Sequence, residues 1–204
     1  MKKVNKFFVD YVNKVSSVTT RKQKTVNSVL SRNLQKEVKE SLNAIAFRDY
    51  VIRDYFEMSV RQSAGHFAAL EKSTWNQFLG QHRLDLFSIQ SDWSLGKSSA
   101  SENLAIHRRV YQVTSAGAAI TCHPVEIYSI IYRKINWQVL DFLPGGAFED
   151  FAVMTRAEIE AADSIPKAVF SFSHGLTVWG DDLFSVVNDI DKLVFSSKLA
   201  LLKG

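Results

Sequence analysis

Twice in this chain a run of apolar, strand-like residues gives way to a helix within a few positions, and that alternation limits the fold more than any other feature. Gly117-Ala-Ala-Ile-Thr-Cys122 reads as a strand, His123 ends it, and Pro124 opens a helix from Val125 to about Lys134, since proline suits a first helical turn. Lys167-Ala-Val-Phe-Ser-Phe172 reads as a buried strand. Ser173-His-Gly-Leu-Thr-Val-Trp-Gly-Asp-Asp-Leu183 follows as strand, tight glycine turn and a helix starting at Asp181 or Asp182, where an acidic side chain meets the positive helix end. The stripe Leu183, Val186, Val187, Ile190, Leu193 and Val194 gives that helix one apolar face. Strands and helices in this order predict one α/β domain. A length of 204 residues, 46% of them hydrophobic, is enough to bury its core.

The amino-terminal third reads differently. Val26, Leu30, Leu34, Val38, Leu42 and Ile45 recur at helical spacing, and the apolar pattern continues through Tyr50 and Phe56 to about Val60. A long helix is therefore expected there, with Asn43 as a point where it could break. Ser63-Ala-Gly-His66 reads as a helix end or turn, and Phe67–Leu70, Thr74–Leu79 and Leu84–Ile89 as short strands. Glu102 to Val113 is expected to be helical, Asn136–Phe142 a strand, and Thr155-Arg-Ala-Glu158 a capping box before a short helix from Ala157 to Ala162.

Charge divides the chain in the same place. Residues 1–40 carry ten Lys/Arg against three Asp/Glu, a local charge of +7, whereas the rest carries 15 basic and 18 acidic residues, or −3. The segment reads first as a solvated basic helix and second as an arm for nucleic acid, an anionic surface or another polyanion. No apolar run approaches a membrane span, and the start lacks the apolar core and cleavage site of a secretory signal. The single cysteine, Cys122, excludes an internal disulfide and suits a reducing, cytoplasmic setting.

The residues suited to chemistry are few. Thr121 and His123 are two apart on a strand and so share a face, with Cys122 on the other. A His-x-His strand presents two imidazoles to one metal ion, but here threonine holds the first position, and a hydroxyl binds zinc poorly. Cys122 would join His123 only through a local bulge. His174, at a strand end before Gly175, reads first as a ring bonded to a loop carbonyl and second as a ligand or catalytic group. Glu102, after a serine-rich loop, reads first as a residue that favours a helix start.

Ala100-Ser101-Glu102, Thr121-Cys-His123 and Ser173-His174-Gly175, with the continuation Val178-Trp-Gly-Asp-Asp-Leu183, resemble in order and spacing the metal-site segments of the class II aldolase/adducin family. That family includes the fuculose-phosphate and ribulose-phosphate aldolases. The resemblance covers roughly residues 44–200. It implies a single-domain α/β fold with a central, mainly antiparallel sheet flanked by helices. Residues 44–204 would form the domain, and residues 1–43 an extra basic helical segment. It further implies that Glu102 is the catalytic acid/base and that His123 and His174 hold Zn2+ or another divalent metal. Thr121 stands at an altered ligand position. Gly65, Gly80, Ser99 and Ser101 would contact a small phosphorylated sugar. A homo-oligomer, tetrameric by resemblance, is expected.

Three features depart from the family pattern: Thr121 in place of a histidine, Ala100 in place of a serine, and Gly65-His-Phe-Ala68 without the asparagine of the phosphate loop. No tyrosine lies within 140–150, where these aldolases place a proton donor. Two functions remain open. One is metal-dependent aldol cleavage with an incomplete metal site. The other is a non-catalytic, adducin-head-like role in oligomerisation or interaction.

Overall fold

The computed structural model describes residues 32–48, 50, 56–70, 84–92, 94–95, 104–133 and 150–203. In chain order the elements are α1 (Arg32–Phe47), β1 (Glu57–Ser63), β2 (His66–Leu70), β3 (Leu84–Ser88), β4 (Ser94–Leu95), α2 (Leu104–Val113), β5 (Ala118–Cys122), α3 (Val125–Tyr132), β6 (Phe151–Val153), α4 (Arg156–Ala161), β7 (Ala168–Ser171), β8 (Gly175–Gly180) and α5 (Leu183–Lys203). The strands form one sheet in the order β4-β3-β2-β1-β5-β8-β7-β6. Every pairing is antiparallel except that of β6 with β7.

Both faces of the sheet are covered, which is why its central strands are apolar in both directions. On β5 the side chains of Ala118, Ile120 and Cys122 enter one core, together with Leu34, Val38, Leu42 and Ile45 of α1, Ile127 of α3 and the stripe of α5. Ala119 enters the opposite core, with Leu104, Ile106, Val110 and Tyr111 of α2 and Ile159 of α4. Thr121, two positions on, belongs to this second face. The polar row that matters below therefore lies under α2.

The expected helix does not reach Val60. It stops at Phe47, and Glu57–Ser63 is a strand. The spacing of three and four holds only to Ile45. From Glu57 the polarity alternates in twos, with Met58 and Val60 on one face and Ser59 and Arg61 on the other. The helix does not break at Asn43, because the buried face of α1 runs through Leu34, Val38, Leu42 and Ile45 on both sides of it. Ser63-Ala-Gly-His66 is the turn of the β1–β2 hairpin. Gly175–Gly180 is a full strand between the glycine turn and the last helix, and Phe151–Val153 is a short edge strand with no expectation attached. Thr155 and Glu158 do form the capping box. The strands expected over 74–79 and 136–142, and the basic segment before residue 32, lie outside the described residues.

Candidate functional site

β5 and β8 run antiparallel with Cys122 opposite Leu176, so the chain leaving β5 at His123 meets the chain entering β8 at His174 and Gly175. Gly175 shows how closely they meet. Its φ is +89°, and a Cβ there would sit 2.6 Å from Cε1 and 2.8 Å from Nδ1 of His123. Glycine is needed both for the backbone angle and for the space that the imidazole takes. The two histidines expected from the sequence to converge are thus at one end of neighbouring strands. Both are buried.

Each ring is held by a hydroxyl. His123 Nδ1 lies 2.7 Å from Tyr128 Oη on α3, with the rings stacked at 5.9 Å, and its backbone N–H donates to the Tyr50 carbonyl at 3.0 Å. His174 Nδ1 lies 2.6 Å from Ser173 Oγ, which is 3.2 Å from Ser171 Oγ. Burial, with the Cys122 sulfur nearby, pushes the Tyr128 phenol up, so it stays protonated. Beside His174 a groove of about 280 Å³ is bounded by Met154, Thr155, Arg156, Ser171, Phe172 and Ser173, among others.

Thr121 does not face an open pocket. Its Oγ1 lies 2.8 Å from His107 Nε2 and 2.7 Å from Oγ1 of Thr177, its partner on β8. His107 Nδ1 lies 2.7 Å from Ser59 Oγ on β1, and Ser59 lies 2.9 Å from Tyr111 Oη. All five side chains are buried. Burial pushes the His107 imidazole down to about 3, so the ring is neutral near pH 7. Glu57, also buried, sits opposite Thr121 on β1. Cys122 stays in the strand register, on the other face, with burial pushing its thiol up. The bulge that would bring it to His123 does not form.

Of the remaining expected residues, Gly65 lies in the β1–β2 turn, at the far end of β1 from the Glu57–Thr121 pair. Glu102, Gly80, Ser99 and Ser101 lie outside the described residues. His107, Ser59, Thr177, Glu57 and Tyr128 had no place in the sequence reading. The one available signal was the spacing of His107 and Tyr111, four apart and so on one face of a helix.

No protein-family model matches the sequence, and no curated protein does. Solved structures do. An L-fuculose 1-phosphate aldolase superposes with a TM-score of 0.67 at 14% identity, over 85% of this chain and 87% of its own. The fold is that of the class II aldolases. An aldolase II superfamily protein from Pseudomonas syringae gives a TM-score of 0.67 at 13% identity, over 87% of this chain and 79% of its own. The L-fuculose-1-phosphate aldolase of Thermus thermophilus gives 0.64 at 15%, over 81% and 92%. At these identities the likeness carries the class II aldolase fold and leaves chemistry to the residues.

Those residues do not fit a three-histidine metal centre. His123 and His174 each have Nδ1 beside a hydroxyl, which leaves Nε2 as the nitrogen either ring would offer an ion. Thr121, for which the resemblance implied an altered ligand position, is a hydroxyl already bonded to His107 and Thr177. Among the described residues no three His, Cys, Asp or Glu side chains gather so as to hold an ion.

Proposed function

We propose that this chain keeps the class II aldolase fold for binding and assembly, as a non-catalytic, adducin-head-like interaction protein. The observation that carries this reading is Thr121, a poor zinc donor whose oxygen is occupied at the position where the fold's enzymes need an imidazole. Exposed apolar side chains support the assembly side of it. Val125 and Tyr132 on α3, and Phe195 and Leu202 on α5, stand in solvent on two helices that pack together and are joined by an ion pair of Lys198 with Glu126.

A retro-aldol screen tests the reading: several ketose phosphates, with and without added zinc, followed by aldehyde release. No turnover above buffer is expected. Zinc-dependent turnover that disappears in Glu102→Gln would overturn it and establish the second reading.

That second reading is cleavage of a small sugar phosphate with Glu102 as proton carrier. It is favoured by one observation, the placing of His123 and His174 at one end of neighbouring strands with both Nδ1 atoms beside hydroxyls.

A further inference from the structure

We infer that the third-ligand position is sealed and not merely substituted: His107 and Thr121 form an interior hydrogen-bonded tie that a histidine restored at 121 cannot turn back into a metal centre. The inference rests on taking position 121 as the fold's third-ligand position. It goes beyond the proposed function in naming the residue that closes that position.

The chain of five groups has a direction. A neutral imidazole has one N–H and one acceptor nitrogen, so protons along the chain must all point one way. Burial raises the Tyr111 phenol, while the Ser59 side chain, Arg61 and the Ala119 backbone lower it in part. The chain runs from Tyr111 Oη through Ser59 Oγ to His107 Nδ1, and from His107 Nε2 through Thr121 Oγ1 to Thr177 Oγ1, so both ring nitrogens are partnered inside the protein.

Two consequences follow. His107 Nε2 lies against Thr121 Oγ1, so a side chain at 121 must pair with that nitrogen or leave it buried without a partner. The tie also links α2 to three strands at once, because Ser59 is on β1, Thr121 on β5 and Thr177 on β8. With Thr121 and His107 both at 0% exposure, an imidazole at 121 has no solvent to swing into. It would have to displace packed atoms, which interiors resist.

The test is zinc titration of the full chain against a chromophoric chelator, with thermal melting in parallel, on wild type and Thr121→His. The expected result is no stoichiometric uptake by Thr121→His, and a melting temperature lower than wild type with or without zinc. Uptake of one zinc per chain by Thr121→His alone, with a rise in melting temperature on zinc addition, would overturn the seal. Uptake by wild type would instead strike the proposed function, so the two failures are told apart.

Should Thr121→His not fold, Thr121→Val decides. It keeps the shape but leaves His107 Nε2 and Thr177 Oγ1 without their Thr121 partner. It should melt roughly 5 °C below wild type and shift the imidazole nitrogen resonances of His107. Wild-type melting with unmoved resonances would overturn the inference.

Discussion

Gly175 is the residue on which the geometry of the site turns. With φ at +89° and the His123 ring 2.6 Å from where a Cβ would stand, Gly175→Ala combines backbone strain with a clash against a buried imidazole. A loss of about 2–4 kcal/mol in denaturant unfolding is expected, and a loss below about 0.5 kcal/mol would mean that the ring does not pack there. His107 makes a second prediction. Its folded pKa is depressed to about 3, so at neutral pH neither state carries its proton and its contribution is complete. As pH falls below the ordinary value near 6.5, the unfolded chain takes up a proton that the folded chain refuses. Stability should then drop by at most about 1.4 kcal/mol per pH unit from this one group. Comparing unfolding at pH 7 and pH 5 for wild type and His107→Gln checks the sign: the wild type should lose more.

At this scale the sequence was informative about His123 and His174, because a histidine at each strand end beside a proline or glycine is a local pattern. It was silent about what surrounds Thr121. That environment comes from Ser59, His107 and Thr177, distant along the chain, which only strand pairing brings together.

Among the elements, α5 shows how far periodicity goes. Its stripe was plain in the sequence and is buried as read, with Leu183, Val186, Ile190, Leu193 and Val194 against the sheet. Ile190→Ala should therefore cost about 2–5 kcal/mol through lost burial and the cavity left behind; a cost under about 1 kcal/mol would place α5 off the core. The β1 strand marks the limit. Its residues follow an apolar helical series without a proline or glycine between, and what makes Glu57–Ser63 extended is hydrogen bonding to β2 on one side and β5 on the other. Such partners are not in the local sequence. β8 was missed for a related reason: Gly175 and Gly180 read as turn punctuation, yet the six residues between the turn and α5 complete the sheet between β5 and β7.

For the whole molecule, the alternation of strand and helix led to the right fold class, and three short segments led to the right fold, which the superpositions on class II aldolases bear out. Function was less legible, since residues as dispersed along the chain as Ser59, His107, Thr121 and Thr177 meet only in the folded sheet. If assembly is the role, the solvent-facing Tyr132, Phe195 and Leu202 should be covered in solution. Sedimentation velocity would then find an oligomer that Phe195→Glu with Leu202→Glu dissociates, whereas a monomeric wild type would remove that support.

If the chain works without a metal centre, elemental analysis of protein purified without chelator, before and after zinc titration, will find almost no bound ion. Below about a tenth of an equivalent per chain with no saturable uptake is the expected result. One tightly held divalent ion per chain would overturn the non-catalytic reading.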